Sequence, residues 1–168
     1  MNGNPIYTIA IPAFKASFLA ACIRSVRQRY AGYELVIVND ASPEPIDEIV
    51  SSLSDSRIRY CKNSENVGAE HMVNNWSRCL EPARGTYFVL LGDDDFLDDD
   101  YLKAFNELVS LHPMLDVSHC QSKIFDECNF LRSGNLKRLS YWVKRAKRYQ
   151  LSLLDILRVF RSVRKQRK

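Results

Sequence analysis

The sequence contains few glycines, and none of them belongs to a recognisable phosphate-binding loop. Its six glycines in 168 residues fit neither GxGxxG nor GxxxxGK[ST], the two patterns that cradle nucleotide phosphates. A GxSxG nucleophile elbow, which would place a catalytic serine at a strand end, is also absent. These absences disfavour a Rossmann dinucleotide enzyme, a P-loop NTPase and an α/β-hydrolase.

Paired cysteines and long apolar runs are missing as well. The five cysteines are odd in number and form no CxxC pair, which favours free thiols in a reducing compartment over disulfides or a zinc site. No stretch approaches the roughly 18 consecutive apolar residues of a membrane span. The N-terminus lacks the basic and then apolar layout of a signal peptide. We therefore expect a cytoplasmic protein.

The formal net charge of +4 conceals two segments of opposite charge. Residues 1–131 contain 11 Lys and Arg against 19 Asp and Glu, a net −8, whereas residues 132–168 contain 13 against one, a net +12. This split predicts a core domain over 1–131 and a basic, amphipathic helical tail over 132–168. The tail fits a solvated helix closing the sheet or a peripheral face for anionic membranes. No motif that reads RNA or DNA accompanies it, so no nucleic-acid partner is expected.

Apolar, β-rich runs alternate with amphipathic helical stripes along the core segment. The pattern predicts strands over residues 6–11, 34–38, 57–61, 86–91 and 117–125, and helices over 17–30, 45–53, 69–80 and 101–111. The run at 34–38 is almost continuously apolar, as in strands buried on both faces of a parallel sheet. The alternation therefore predicts an α/β, Rossmann-like fold, with a mostly parallel sheet flanked by helices.

Special or polar residues follow three of the predicted strands. They are Pro12, Ala13 and Phe14 after the first strand, Asp40 after the second, and Asp93, Asp94 and Asp95 after the fourth. In open parallel sheets, ligands bind beyond the carboxyl ends of the strands, where the strand order reverses. We therefore predict that the three segments converge on one crevice.

The acidic residues between positions 93 and 100 divide into two groups. Three adjacent carboxylates at 93–95 repel one another unless a cation or a raised pKa relieves them. Such oxygen ligands suit Mg²⁺ or Mn²⁺, which is commonly held by one or two carboxylates together with substrate phosphates. Asp98, Asp99 and Asp100 immediately precede a helical stripe, so helix capping and compensation of the helix dipole explain them.

Taken in order, these segments resemble the inverting glycosyltransferases of family 2, which have the GT-A fold. The resemblance rests on IAIPAF at 9–14, LAACIRSVRQRY at 19–30, ELVIVNDAS at 34–42, ENVG at 65–68 with Asn74, and ARGTYFVLLGDDD at 83–95. Each segment alone is weakly specific. Five of them in this order, at the family's spacing, form a specific match over residues 6–100.

The resemblance implies binding of a nucleotide-diphospho-sugar, with a UDP-sugar favoured. Asp40 would bind the base of the donor, aided by the loop of Pro12, Ala13 and Phe14, and Asn66 would belong to the same nucleotide-sugar site. The residues themselves leave structural alternatives open. Asp40 could form an Asx turn, and Asn66 could shape its loop without touching a ligand.

The resemblance also implies a divalent metal, Mg²⁺ or Mn²⁺, at the DXD motif. Asp93 would lie near the ribose or the diphosphate, Asp94 would hold the metal, and Asp95 would be a neighbouring ligand or sugar contact. Gly92 stands where the family often has the first acidic residue. Val73 stands where it often has a basic one.

The acceptor side of the reaction has no counterpart in the sequence. Inverting transfer requires a general base for the acceptor hydroxyl, and the acidic residues after the helix predicted over 101–111, Asp116, Asp126, Glu127 and Asp155, do not resemble the family's base motif. We therefore expect a donor-binding half that lacks its acceptor half, or one that needs a partner chain. A polysaccharide or lipid-linked acceptor fits the resemblance. The alternative is a non-catalytic module that binds nucleotide-sugars or a membrane surface.

Overall fold

The structure, a computed structural model, describes residues 6–26, 32–114 and 116–118. Its elements are β1 (Tyr7–Ala13), α1 (Leu19–Ser25), β2 (Tyr33–Asn39), α2 (Ile46–Ser51), β3 (Ile58–Lys62), a 3-10 turn (Ala69–His71), α3 (Met72–Leu80), β4 (Tyr87–Leu90) and α4 (Tyr101–Leu111). The chain divides at Pro113 and Met114 into two units, and all of these elements belong to the first. The basic tail and most of the strand predicted over 117–125 lie outside the described residues.

The four strands form one parallel sheet in the order β3-β2-β1-β4. β1 is central, pairing with β2 along its whole length and with β4 only from Tyr7 to Ala10. Because the chain order reverses around β1, its carboxyl end is the point where this topology places a ligand crevice. The predicted α/β fold with a parallel sheet flanked by helices is confirmed.

The two central strands are buried on both faces. Every residue of β2 is buried, and so is every residue of β1 except Pro12. One face packs mainly against α1, α2 and α4, through residues that include Leu19, Cys22, Ile46 and Leu102. The other face packs against Cys79 of α3. Burial on both faces explains why the middle of β2, residues 35–38, is continuously apolar.

The start of α1 and the capping of α4 differ from the sequence prediction. The sequence predicts a helix from residue 17, but α1 begins at Leu19, and Phe18 occupies its N-cap position without a side-chain cap. Asp100 occupies the N-cap position of α4, again without a side-chain hydrogen bond to the helix. The Asp98 carboxylate instead accepts a hydrogen bond from the Asp100 N–H at 3.2 Å. The acidic run before α4 therefore acts through charge and local turn bonds rather than through a cap.

A polar network joins the amino ends of β1, β2 and β4. The buried Glu34 carboxylate accepts hydrogen bonds from Thr8 Oγ1 at 2.7 Å and from Arg84 N at 2.6 Å. The Thr8 hydroxyl oxygen in turn accepts from Gly85 N at 2.8 Å. The hydrogen bonds from Thr8 and Arg84 lower the pKa of Glu34 and outweigh the opposing effect of its burial.

The substitution Glu34→Gln is expected to reduce the acid sensitivity of folding. Because the pKa of Glu34 is lowered in the folded state, its stabilisation is complete above the unfolded pKa and is lost as pH falls through the folded pKa. Between about pH 5 and pH 3, the free energy of unfolding should therefore fall more steeply for the unmodified protein than for Glu34→Gln. Urea unfolding at several pH values measures this slope. Glu107→Gln, at an exposed position of α4, is the control. The expectation would be contradicted if the free energy of unfolding of Glu34→Gln fell as steeply with falling pH as that of the unmodified protein.

Candidate functional site

The structure brings together the three strand ends that the sequence singled out. The segment after β4 contacts the loop after β1, because Asp93 Oδ2 accepts hydrogen bonds from Phe14 N at 2.8 Å and Lys15 N at 2.7 Å. The segment after β2 contacts the end of β1, because Asp40 N donates to Ala13 O at 2.9 Å. The carboxyl end of β1 is therefore held from both sides.

Asp93 fixes the loop after β1 by its backbone. A carboxylate oxygen that accepts two consecutive N–H groups restrains both peptide units through charge-assisted hydrogen bonds. The Phe14 carbonyl is also occupied, since it accepts a hydrogen bond from Ser42 Oγ. The Phe14 side chain remains 41% exposed. The loop thus holds its backbone firmly and leaves an aromatic ring available at the surface of the site.

Pro12 occupies a position in the central strand where its missing N–H has little consequence. The backbone groups of alternate residues in β1 face β4, as shown by the bonds from Tyr87 N to Ile6 O and from Leu91 N to Ala10 O. Pro12 continues this alternation beyond Ala10, the last residue of β1 that pairs with β4. A proline placed there ends the pairing without removing a ladder bond, so the two strands separate where the crevice begins.

Asp40 is buried and its carboxylate is directed into the site rather than into its own turn. It is 5% exposed, and Oδ1 accepts hydrogen bonds from Asn63 Nδ2 at 2.7 Å and Val67 N at 3.3 Å. The bond expected of an Asx turn at Asp40 is made by its neighbour, because Ser42 N donates to Asn39 Oδ1 at 2.9 Å. Within the described part of the chain, Oδ2 of Asp40 has no hydrogen-bonding partner, which leaves it as an acceptor for a ligand.

Asn66 supports the backbone of Asp40. Its Nδ2 donates to the Asp40 carbonyl at 3.1 Å, and Gly68, with φ of 73°, completes the loop in the left-handed region that favours glycine. This arrangement agrees with the loop-shaping alternative for Asn66. The 3-10 turn and α3 follow directly.

Two asparagines of the site escaped the sequence analysis. Asn63 bonds to Asp40, and its Nδ2 also lies 3.3 Å from Oδ1 of Asn75, which is 8% exposed. Asn74, the residue picked out by the family resemblance, is exposed. The spacing of residues along α3 could have identified Asn75, because it lies four residues before the buried Cys79 and shares its face of the helix. No local pattern singles out Asn63.

The residues after β4 form a tight acidic turn, residues 92–95. Asp95 N donates to Gly92 O at 3.1 Å, and Gly92 N donates to Asp95 Oδ2 at 3.3 Å. A Cβ atom on Gly92 would lie 2.8 Å from Asp95 Oδ2 and 3.2 Å from Asp94 Oδ1. The absence of a side chain at Gly92 therefore gives these two carboxylates room on the same side of the turn. Partial burial, followed by the charges of Asp94 and Asp93, raises the pKa of Asp95.

Helix α1 is hydrogen-bonded to the acidic turn and to the residues that follow it. Cys22 Sγ donates to Gly92 O at 3.3 Å, and Leu97 N donates to Ser25 Oγ at 3.1 Å. Burial, with the charges of the three nearby aspartates, raises the pKa of the Cys22 thiol, so the thiol keeps the proton that it donates. The three described cysteines, Cys22, Cys61 and Cys79, are free, as the sequence predicted.

The acidic turn offers part of a metal site. Among the described residues, no group of three His, Cys, Asp or Glu side chains converges as a complete cage. Asp94 and Asp95 still fit Mg²⁺ or Mn²⁺, because these ions commonly take one or two carboxylates and complete their shell with substrate phosphates and water. The raised pKa of Asp95 points the same way, since a bound cation would relieve the repulsion between the carboxylates.

No helix in the described part of the chain is both long and apolar enough to cross a membrane.

Comparison with known proteins gives one family. The model of glycosyl transferase family 2 matches residues 8–166. The chain is 32% identical over 137 residues to the putative colanic acid biosynthesis glycosyl transferase WcaA of Escherichia coli K12, covering 76% of this chain and 48% of that protein. It therefore spans about half the length of this relative.

Solved structures share the fold at low sequence identity. TarS 1-349 of S. aureus, in complex with UDP, gives a TM-score of 0.57 at 18% identity, covering 64% of this chain and 32% of that one. The mannosyltransferase PcManGT of Pyrobaculum calidifontis, in complex with GDP-Man and Mn²⁺, gives 0.54 at 20% identity, covering 65% and 33%. At such identities the similarity establishes the GT-A-like fold.

Proposed function

Because the chain belongs to glycosyl transferase family 2, we propose that it binds a nucleotide-diphospho-sugar where β2, β1 and β4 end. The proposed reaction is inverting transfer of the sugar to a polysaccharide or lipid-linked acceptor, with a UDP-sugar as the favoured donor. One observation carries the proposal: Asp93 ties the acidic turn to the loop after β1 while Asp40 is anchored at the adjoining strand end. The name of the Escherichia coli relative, and the UDP and GDP-Man bound in the two solved structures, agree with such a donor.

The base of the nucleotide is assigned to Asp40. With Oδ1 held by Asn63 and Val67, Oδ2 is the oxygen that would accept an N–H from the base. Uracil, thymine and guanine carry a ring N–H on their pairing edge, whereas adenine and cytosine carry an unprotonated ring nitrogen there, which repels a carboxylate, and donate only from an exocyclic amine. Pro12 and the exposed ring of Phe14 would form the adjoining wall, where an aromatic face can stack on a base, whereas Ala13 is completely buried in the core and would not touch the base. The site should therefore prefer uridine, thymidine and guanosine nucleotides.

The diphosphate is assigned to the acidic turn. Asp94 and Asp95 would hold Mg²⁺ or Mn²⁺ against the phosphates, and the bound metal would supply a Lewis acid that stabilises charge on the departing nucleoside diphosphate. Asp93 uses Oδ2 to hold the loop after β1, and Oδ1 would reach the ribose or the diphosphate. Asn66 would contribute indirectly, through the backbone of Asp40.

Calorimetry with four nucleotides tests the proposed binding. UDP, GDP, ADP and CDP are titrated into the full chain in the presence of Mn²⁺ and again with the metal chelated. UDP or GDP should bind at least about tenfold more tightly than ADP and CDP, because a charge-assisted hydrogen bond contributes about 1.5–3 kcal/mol. Chelation should weaken binding. Equal binding of all four nucleotides, or no heat with any of them, would overturn the assignment.

Turnover distinguishes an enzyme from a binding module. The same preparation is incubated with UDP-glucose, UDP-N-acetylglucosamine and GDP-mannose, with and without lipid-linked and oligosaccharide acceptors. Release of the nucleoside diphosphate coupled to sugar transfer would support the enzyme. Tight metal-dependent binding without any turnover would favour the non-catalytic nucleotide-sugar-binding module instead.

A further inference from the structure

A chain of polar side chains runs from the outer strand β3 to the turn that carries Asp40. Lys62 Nζ donates to Asp47 Oδ2 at 2.5 Å, and the Tyr60 hydroxyl donates to the other oxygen, Oδ1, of Asp47. Asn39 Nδ2 then donates to the Tyr60 hydroxyl oxygen at 2.8 Å. Lys62 and Asp47 are about half exposed, whereas Asn39 is completely buried. The chain therefore connects the protein surface to the interior end of β2.

The direction of these hydrogen bonds fixes the orientation of the Asn39 amide. A carboxylate only accepts, so the single hydroxyl proton of Tyr60 is committed to Asp47 and its oxygen must accept from Asn39. Asn39 therefore presents Nδ2 to Tyr60 and Oδ1 to the N–H of Ser42. The flipped amide would set oxygen against oxygen at Tyr60 and N–H against N–H at Ser42.

The bond from Ser42 N to Asn39 Oδ1 closes a turn under backbone strain. Between these two residues Ala41 adopts φ of 50°, the left-handed region that residues with a Cβ rarely occupy. Ala41 is the only non-glycine residue in this region within the described part of the chain. Such a conformation persists where surrounding bonds hold it, and Asn39 supplies the bond that spans it.

We propose that Tyr60 is a positioning residue for Asp40, acting through Asn39. This inference rests on the proposed role of Asp40 in binding the base. Asp40 lies inside the turn that Asn39 closes, so the direction of its carboxylate depends on the turn as well as on Asn63 and Val67. Loss of the Tyr60 hydroxyl releases the Asn39 amide to flip, weakens the bond to Ser42 and lets Asp40 move, with no change at the acidic turn.

The first arm of the test needs no ligand. Amide hydrogen exchange of Ser42 is measured by NMR in the unmodified chain, in Tyr60→Phe and in the control Tyr87→Phe. Tyr87 lies at the amino end of β4, so its loss of a hydroxyl is chemically matched but remote from the turn. Exchange at Ser42 should rise about fivefold to tenfold in Tyr60→Phe, the factor that one hydrogen bond gives, and stay unchanged in Tyr87→Phe. Unchanged exchange in Tyr60→Phe would overturn the proposal.

The second arm separates base recognition from general damage. Affinities for UDP and for inorganic pyrophosphate, each with Mn²⁺, are compared in the same variants. Tyr60→Phe should weaken UDP binding about fivefold to tenfold and leave pyrophosphate, which has no base, unaffected. Equal weakening of both ligands, or of neither, would contradict a role through Asp40. If the unmodified chain binds neither ligand, the proposed function fails, while faster exchange at Ser42 still establishes Tyr60 as the residue that holds the turn.

A double variant checks the path through the network. Asn39 lies close enough to Asp47 to lower the pKa of that carboxyl, alongside the larger effects of Lys62 and Tyr60. Asp47 could therefore accept from the Asn39 amide once the Tyr60 hydroxyl is gone. Adding Asp47→Ala to Tyr60→Phe removes this second acceptor and should raise Ser42 exchange further. An additional effect of zero would show that Tyr60 alone orients Asn39.

Discussion

Replacing Gly85 by alanine is expected to destabilise the domain by about 3 kcal/mol or more. A Cβ atom at this buried position would lie 2.4 Å from Thr8 N and 2.6 Å from the carbonyl carbon of Tyr7. Both are backbone atoms of the central strand, so no side chain can rotate out of the way. The segment before β4 would have to move away from β1, which would also break the hydrogen bond from Gly85 N to Thr8 Oγ1. Urea unfolding followed by circular dichroism measures the loss.

Thr86→Ala is the matched control for this substitution. Thr86 is the next residue along the chain but is exposed, so its truncation should change stability by no more than about 0.5 kcal/mol. The close approach of Gly85 to β1 would be refuted by a Gly85→Ala protein as stable as the control. A Gly85→Ala chain that fails to accumulate as folded protein, beside a normal Thr86→Ala chain, meets the expectation.

Asp94→Ala is expected to remove the metal-dependent part of nucleotide binding. The affinity for UDP in the presence of Mn²⁺ should fall at least about 100-fold. Asp94 is exposed, and its carboxylate lies on the same side of the turn as that of Asp95. Truncation removes a ligand from the proposed metal site and leaves the hydrogen bonds of Asp93 and Asp40 in place. Affinity measured with the metal chelated should therefore equal that of the unmodified chain.

Asp99→Ala controls for the loss of a nearby negative charge. Asp99 is also exposed and belongs to the acidic run before α4, outside the proposed site. Its truncation should leave UDP affinity within about twofold at physiological salt, where exposed charges are strongly screened. If Asp94→Ala binds as tightly as Asp99→Ala in the presence of Mn²⁺, Asp94 is not a metal ligand.

The order of elements could be predicted because buried strands and amphipathic helices have distinct periodicities. β2 illustrates this, since burial on both faces makes its middle, residues 35–38, continuously apolar. The meeting of three strand ends also followed, because parallel strands deliver their carboxyl ends to one edge of a sheet. Helix starts were less predictable. Phe18 precedes α1 without any cap because tertiary packing, rather than local hydrogen bonding, fixes where that helix begins.

The detailed roles of site residues depend on contacts between positions far apart in the chain. Asp93 bonds to residues 78 and 79 positions earlier, and no local pattern reveals such a bond. Gly85 appears in the sequence as part of a family motif, yet its physical reason is the approach of another strand. The side-chain bond to Ser42 N comes from Asn39 instead of Asp40, because Oδ1 of Asp40 accepts from Asn63 and Val67, which are distant in the chain.

The backbone of Phe14 is occupied on both its N–H and its C=O, while the residue remains 41% exposed. The backbone of Phe14 therefore holds the loop, while its side chain is left for the proposed contact with a ligand. A substitution at position 14 changes the surface offered to a ligand without altering the course of the loop, because no bond of the loop involves that side chain. Under the proposed function, position 14 is therefore one where ligand preference could be redesigned with little effect on folding.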